Sequence, residues 1–139
     1  FDGNGANFKL NINSQSNHIG LFNYTGLESV IKNLSVTGNI IAKNNVGGVI
    51  GYHQGYAENI YAKVDIFGEN NVGGLIGYNT GTFNLGYSIA TLVATNNVGG
   101  FVGYNRGTIK NTYSNSKVFG LKKCMSKILK MIYPFVLCF

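Results

Sequence analysis

The sequence predicts an all-β fold: a right-handed parallel β-helix, or β-solenoid, of about four to five 26-residue coils. A block of nine residues recurs without a gap as NNVGGVIGY (44–52), NNVGGLIGY (70–78) and NNVGGFVGY (96–104), each copy 26 residues after the last. The repeat is built from Gly, Asn, Val, Ile, Tyr and Phe, which favour turns and strands over helices. A fixed period of this length is typical of repeat proteins in which each unit packs only on its neighbours.

Other repeat architectures fit less well. Propeller blades need about 40 residues or more, whereas leucine-rich repeats take about 20–29 and therefore need a direct test. The stretch Ile31-x-x-Leu34-x-Val36-x-x-Asn39 matches the leucine-rich pattern, but the equivalent positions of the later units do not. The parallel β-helix remains.

The coils follow one another along the chain. Residues 1–16 resemble the second half of a first coil, and NHIGLFNY (17–24) matches the repeated block with one residue missing. We expect one solenoid domain over residues 1–120, with units near 17–43, 44–69, 70–95 and 96–120. In the third of these units, VGGLIGY, TFNLGYS and ATLVA are the predicted strands.

Stacking of equivalent positions turns the repeat into columns of side chains. Apolar columns are expected at Val46/Val72/Val98, Val49/Leu75/Phe101, Ile50/Ile76/Val102 and Tyr52/Tyr78/Tyr104. Strand alternation puts positions 49 and 50 on opposite faces, yet both are apolar, so which of them points inward stays open. The asparagine pairs predict left-handed turn residues and amide ladders along the axis, and the glycine pairs predict sharp bends or close backbone contacts.

Charge is distributed unevenly. The net charge is +6, but residues 1–120 hold seven Lys or Arg and five acids, so most of the excess lies in the last 19 residues. Residues 1–120 thus have a net charge of about +2, and their charged residues are scattered rather than gathered in a basic stripe. Because nucleic-acid binding needs such a stripe, we expect no nucleic-acid partner. The chain opens at Phe1 without Met or a leader, which favours a piece of something longer.

The segment 121–139, LKKCMSKILKMIYPFVLCF, differs from the body in composition, because it holds both Cys, both Met and the one Pro but no Gly. Its uncharged run 131–139 is nine residues, against about 20 needed to cross a bilayer, so no integral membrane span is expected. Three interpretations stay open: a membrane-associating amphipathic segment, a cap on the open solenoid end, or non-native, frame-shifted sequence.

No catalytic, cofactor-binding or metal-ligating residues are predicted, and we expect that the chain is not an enzyme. No acid recurs at one coil position, although Glu58 and Asp65 share a coil and could approach each other. His18 and His53 lie in different units without metal-binding spacing. GGVIG at 47–51 lacks the Lys and the helix of a phosphate-binding loop.

Two tyrosine columns are candidate binding surfaces. Tyr52, Tyr78 and Tyr104 form one, and Tyr61, Tyr87 and Tyr113 form the other. Solvent-facing rings would provide a platform on which sugars stack, whereas the alternative is that the rings pack at the corners of the coils.

The recurring G-[LVF]-[IV]-G core, seen in NNVGGLIGYNTGT (70–82), resembles the GLUG repeat. The opening FDGNGANFKLNI followed by IGLFNY is similar to a segment that often precedes such repeats, so the resemblance covers residues 1–120. It implies a bacterial extracellular protein: a filamentous-haemagglutinin-like adhesin, another large surface protein, or repeats beside the protease module of an IgA-cleaving metallopeptidase. It implies no catalytic residues in the repeats.

From these observations we expect a non-catalytic structural or adhesive repeat segment of a large secreted bacterial surface protein. Its expected partners are a host surface protein or glycan and the rest of the parent polypeptide, and its expected location is extracellular or on the cell surface. An accessory repeat domain of a secreted IgA-type metallopeptidase and a carbohydrate-binding solenoid are the alternatives.

Overall fold

The computed structural model describes residues 1–120, which form thirteen β-strands. No helix occurs in this part of the chain, and therefore none that could cross a membrane. The predictions for 121–139 fall outside the described residues. The strands are β1 (Asp2–Asn13), β2 (Phe22–Thr25), β3 (Val30–Ile41), β4 (Asn44–Gly47), β5 (Ile50–His53), β6 (Tyr56–Phe67), β7 (Asn70–Gly73), β8 (Ile76–Asn79), β9 (Thr82–Ala94), β10 (Asn96–Gly99), β11 (Val102–Asn105), β12 (Thr108–Ser114) and β13 (Lys117–Gly120).

The strands assemble into three parallel sheets that run side by side along the solenoid. The long-strand sheet has the order β1-β3-β6-β9-β12, with β13 also paired to β9, and the two short-strand sheets are β4-β7-β10 and β2-β5-β8-β11. Every pairing is parallel, and Ile76 lies opposite both Ile50 and Val102, which are 26 residues away on either side. The predicted parallel β-solenoid is confirmed, with about five turns.

The first full coil departs from the regular spacing. Phe22 pairs with Ile50, 28 residues later, whereas Val30 pairs with Tyr56 at the regular 26. Ile19 pairs with Val46 at a spacing of 27, so one residue is missing between Ile19 and Phe22, as the sequence predicted. The turn between β2 and β3 contains two extra residues and restores the register.

The predicted strand boundaries in the third unit were partly wrong. VGGLIGY forms two strands, β7 and β8, because the chain bends between them at Gly74–Leu75. TFNLGYS and ATLVA form the single strand β9. The coils at 44–69 and 70–95 thus each contribute two short strands and one long strand, whereas in the last coil the long strand is divided into β12 and β13.

The corner between the short strands explains how neighbouring positions can both face the interior. Val49 lies between β4 and β5, and both Val49 and Ile50 are fully buried. Their amides donate to the same carbonyl, that of Leu75, at 2.9 and 3.0 Å. Because the chain turns at this point, strand alternation starts anew in β5, and neither position faces solvent.

A bulge in the long strand sets which of its residues face the core. In β6 the positions Ile60, Ala62, Val64 and Ile66 are buried, and every residue between them is exposed. Ala57 is also buried, three positions before Ile60, because a residue in the left-handed conformation precedes Ile60 and shifts the alternation by one. That position has positive φ in every coil: Gly5 (78°), Asn33 (58°), Asn59 (52°), Leu85 (58°) and Asn111 (51°).

The two short-strand sheets approach each other closely at glycines. A Cβ at Gly47 would collide with the Leu75 carbonyl oxygen, and one at Gly77 would collide with the Asn45 backbone. Only glycine permits this separation between backbones. The first glycine of each predicted pair thus marks a contact between sheets as well as a bend.

The apolar columns form one core cluster that runs along the axis. Val46, Val72, Leu75 and Ile76 are completely buried because each is covered by the coil on either side. In the last described coil the equivalent residues Val98, Phe101 and Val102 are only partly buried. Burial by neighbouring coils is therefore the main source of apolar stabilisation.

Candidate interaction surfaces

A ladder of four stacked tyrosines runs along the solenoid on the sheet formed by β2, β5, β8 and β11. We call Tyr24, Tyr52, Tyr78 and Tyr104 the tyrosine ladder. Successive ring centroids lie 5.4, 4.9 and 5.0 Å apart, and the planes are within 5–21° of parallel. Tyr24 was not included in the predicted column, although the match of residues 17–24 to the repeated block places it opposite Tyr52.

Stacking limits what the tyrosine ladder can bind. A ring face of Tyr52 or Tyr78 is covered by the next ring, so a sugar stacked there would have to displace a tyrosine. The exposed groups are ring edges, hydroxyls and the outer faces of the terminal rings, Tyr24 (57% exposed) and Tyr104 (39%). The binding role predicted for Tyr52, Tyr78 and Tyr104 stays a prediction, and this geometry restricts it to edges and hydroxyls at Tyr52 and Tyr78.

The tyrosine hydroxyls are held in polar contacts. The Tyr24 hydroxyl donates to Gln54 Oε1 at 2.5 Å, and the Arg106 guanidinium lies beside the Tyr78 hydroxyl. Gln54 and Arg106 immediately follow β5 and β11, which places both side chains at the same corner of the solenoid. The hydroxyl edge of the tyrosine ladder therefore adjoins a polar corner.

The second tyrosine column lies on the outer face of the long-strand sheet. Tyr87 and Tyr113 stack with centroids 5.1 Å apart and planes 2° from parallel. Tyr61 pairs with Tyr87 in the register and is 44% exposed, and Tyr113 is 62% exposed. This column is shorter than the tyrosine ladder, because the first full coil has Ser35 at the same place.

Two asparagine ladders run along the coils, as the asparagine pairs predicted. In one, Asn44, Asn70 and Asn96 each donate from Nδ2 to the side chain one coil below, at 2.6, 2.5 and 2.7 Å. In the other, Asn71 and Asn97 do the same at 2.7 and 2.8 Å. The second asparagine of each pair is left-handed, so these side chains stabilise the turn as well as the stack.

The histidines lie apart and have different surroundings. His18 continues the second asparagine ladder, where Asn45 Nδ2 approaches its Nδ1 at 3.0 Å. His53 is completely buried in a polar column with Thr25 and Asn79, which sequence inspection missed. The sequence feature that could have revealed this column is the polar residue that follows each tyrosine of the ladder. The burial of these polar side chains, however, depends on how the chain turns at the corner.

Burial favours the neutral form of the His53 ring, for which the two contacts fix the tautomer. Its Nε2 lies 3.2 Å from the Thr82 carbonyl oxygen, which can only accept, so Nε2 carries the proton. Nδ1 then accepts from the Thr25 hydroxyl at 2.7 Å. Burial lowers the pKa of His53, and the bond to the Thr82 carbonyl opposes part of that effect.

The carboxylates do not assemble into a site. Glu58 and Asp65 lie on the same strand, seven residues apart, and about 20 Å of extended chain separates them. The expectation that they could approach each other is therefore wrong. Glu58 instead accepts a hydrogen bond from the Tyr56 hydroxyl at 2.7 Å. Over residues 1–120, no three His, Cys, Asp or Glu side chains converge as metal ligands would.

Comparison with protein families identifies a GLUG motif at residues 94–118. The match covers one repeat, from the end of β9 into β13, and it confirms the resemblance seen in the sequence. Comparison with curated proteins found no match, and comparison with solved structures found none.

Proposed function

We propose that this GLUG-motif solenoid is a non-catalytic adhesive segment of a large bacterial surface or secreted protein. The rod would carry a binding surface away from the cell and connect it to the rest of the parent polypeptide. The GLUG motif and the β-solenoid fold are compatible with a structural repeat segment, and the adhesive role is the proposal.

One observation carries the proposal: the solenoid repeats the same side chain along its surface at one-coil spacing. The tyrosine ladder sets four phenol groups in a row with ring centroids 4.9–5.4 Å apart. A row of identical groups can contact a repetitive partner at several points at once, which raises avidity without any strong single contact. Such a repetitive surface is better suited to adhesion than to catalysis.

The pattern of bonds supports a stiff rod. Backbone hydrogen bonds in all three sheets and the asparagine ladders run between successive coils. Bending the rod would open these bonds on one side, so each coil is held by its neighbours. Acids among residues 1–120 are dispersed over several coils, an arrangement that does not favour paired-carboxylate catalysis.

Attachment of coated beads tests the proposal. Beads carrying the full chain should adhere to at least one of a panel of animal-cell and glycan-coated surfaces. Ile76→Asp, which places a charge in the buried column, should unfold the rod and abolish adhesion, whereas Thr95→Asp adds the same charge at an exposed position and should leave adhesion unchanged. Adhesion no stronger than that of beads coated with an unrelated protein of equal net charge would contradict the proposal.

A further inference from the structure

A shallow groove runs along the corner that follows the tyrosine ladder. One wall is formed by the residues just after β5, β8 and β11, and the other by the first residues of β6, β9 and β12. The residue between the walls is glycine in all three coils, at 55, 81 and 107, so no side chain fills the space between them. The groove measures about 490 Å³, and its polar lining consists of Gln54, Tyr56, Thr80, Thr82, Arg106 and Thr108.

The lining of this corner groove is hydroxyl and amide in character. Thr82 pairs in register with both Tyr56 and Thr108, so three hydroxyl-bearing residues follow each other along one wall. A hydroxyl can donate and accept, and the Gln54 amide adds two more donors. Groups of this kind pair with the many hydroxyls of a saccharide, whereas peptides are usually bound by sheet edges or apolar pockets.

The charge of the groove selects among saccharides. Arg106 is the one ionic side chain in the lining, and the carboxylate of Glu58, which contacts the lining, accepts the hydroxyl hydrogen of Tyr56. Its side chain is exposed, beside the Tyr78 hydroxyl and near Tyr52 and Tyr104. Five N–H donors in a planar fork favour a carboxylate, so the groove is suited to a sugar that carries one.

We propose that the corner groove binds carboxylate-bearing saccharides, with the carboxylate on Arg106 and the sugar hydroxyls on Gln54, Thr80 and Thr82. This inference rests on the adhesive function proposed above and names the class of its ligand. The ring faces of Tyr52 and Tyr78 take no part, because neighbouring rings cover them. Only the hydroxyl edge of the ladder borders the ligand.

Titration with a galacturonate trimer tests the inference, and the fully methyl-esterified trimer is the matched neutral control. Binding to the full chain is measured by calorimetry and by amide chemical-shift changes. The acid should bind more tightly than the ester, and the shift changes should cluster at Gln54, Thr80 and Arg106. Arg106→Gln should weaken acid binding at least about tenfold, because it removes a charge-assisted contact.

Lys63→Gln is the matched variant, because it removes one positive charge from the outer face of the long-strand sheet. It should leave binding unchanged. Equal affinity for acid and ester, equal weakening by both variants, or no binding at all would overturn the inference. Thermal unfolding of both variants shows whether either loses binding through loss of fold.

The same reagents separate this inference from the adhesive function. In one outcome, beads coated with the Arg106→Gln variant attach as well as beads coated with the unchanged chain, and the galacturonate trimer displaces neither. This result would overturn the assignment of the groove and leave the adhesive role standing. Tight trimer binding in solution by a chain whose beads attach to nothing would contradict the adhesive role and support the groove.

Discussion

Replacing Leu85 with asparagine should stabilise the solenoid, because Leu85 occupies a left-handed position that its equivalents fill with asparagine. Its φ is 58°, and Asn33, Asn59 and Asn111 have 58°, 52° and 51° at the same place. Asn59 already donates to Asn33 at 2.8 Å, but Leu85 interrupts this ladder. Asn111 therefore bonds to Asn84, its neighbour in the coil below, at 2.8 Å.

Three contributions set the expected change in the free energy of unfolding. Relief of the left-handed strain is worth about 1–2 kcal/mol, since asparagine tolerates this conformation better than leucine. A restored amide hydrogen bond adds about 0.5–1 kcal/mol at a partly exposed site. Leu85 is 47% exposed, so its loss removes only about 1 kcal/mol of apolar burial. The sum is a gain of about 1 kcal/mol, or about 4 °C in Tm.

Urea and thermal unfolding followed by circular dichroism measure this change. Leu85→Ala is the control, because it keeps the strained backbone and loses the apolar contact, and it should destabilise the chain by about 1 kcal/mol. Leu85→Gly removes the strain without supplying an amide and should fall between the two. A Leu85→Asn chain no more stable than Leu85→Ala would refute both the strain and the ladder.

Three further predictions concern buried positions. Stability should fall as the pH drops below about 6.5, by up to about 1.4 kcal/mol per pH unit, because the unfolded chain takes up a proton that folded His53, with its lowered pKa, does not. In His53→Asn, urea unfolding at about pH 7.5 and about pH 5 should lack this contribution, and an unchanged pH dependence would count against it. Ser88→Ala should raise the free energy of unfolding by about 1 kcal/mol, since the buried Oγ has no hydrogen-bond partner among the described residues. Ala62 occupies the same position one coil below, and Ala62→Ser should lower the free energy of unfolding. Gly77→Ala should lower the free energy of unfolding by about 1–3 kcal/mol, because the added Cβ meets the backbone of the neighbouring sheet. At Gly26 a Cβ meets nothing within 4 Å, so Gly26→Ala should change the free energy of unfolding by no more than about 0.5 kcal/mol. Equal losses in the two variants would contradict the close approach of the sheets.

The period of the sequence was enough to predict the parallel stacking of coils and the columns of side chains. Parallel stacking places residue n against residue n plus 26, so the pairing of Ile76 with Ile50 and Val102 follows from the alignment alone. What the alignment lacks is the path of the chain within one coil. Burial of both Val49 and Ile50 depends on a corner between strands, which sequence alternation cannot show.

The candidate surfaces were predicted less completely. Alignment identified Tyr52 and Tyr78 as a column, but the distance and tilt between rings, which decide whether their faces are free, are properties of the backbone. The corner groove was not predicted from the sequence, because its two walls are formed by different columns of residues that are separated by a glycine in each coil. His53 looks like a surface residue in the sequence, and only the coils above and below bury it.

Nuclear Overhauser contacts between methyl groups test the stacking of coils most directly. In a chain labelled at isoleucine and valine methyls, Ile76 should show contacts to both Ile50 and Val102, and Val72 to both Val46 and Val98. Amide shifts across residues 44–105 should be those of strands. Helical shifts in these segments, or no methyl contact from Ile76 to either Ile50 or Val102, would contradict the solenoid and every surface derived from it.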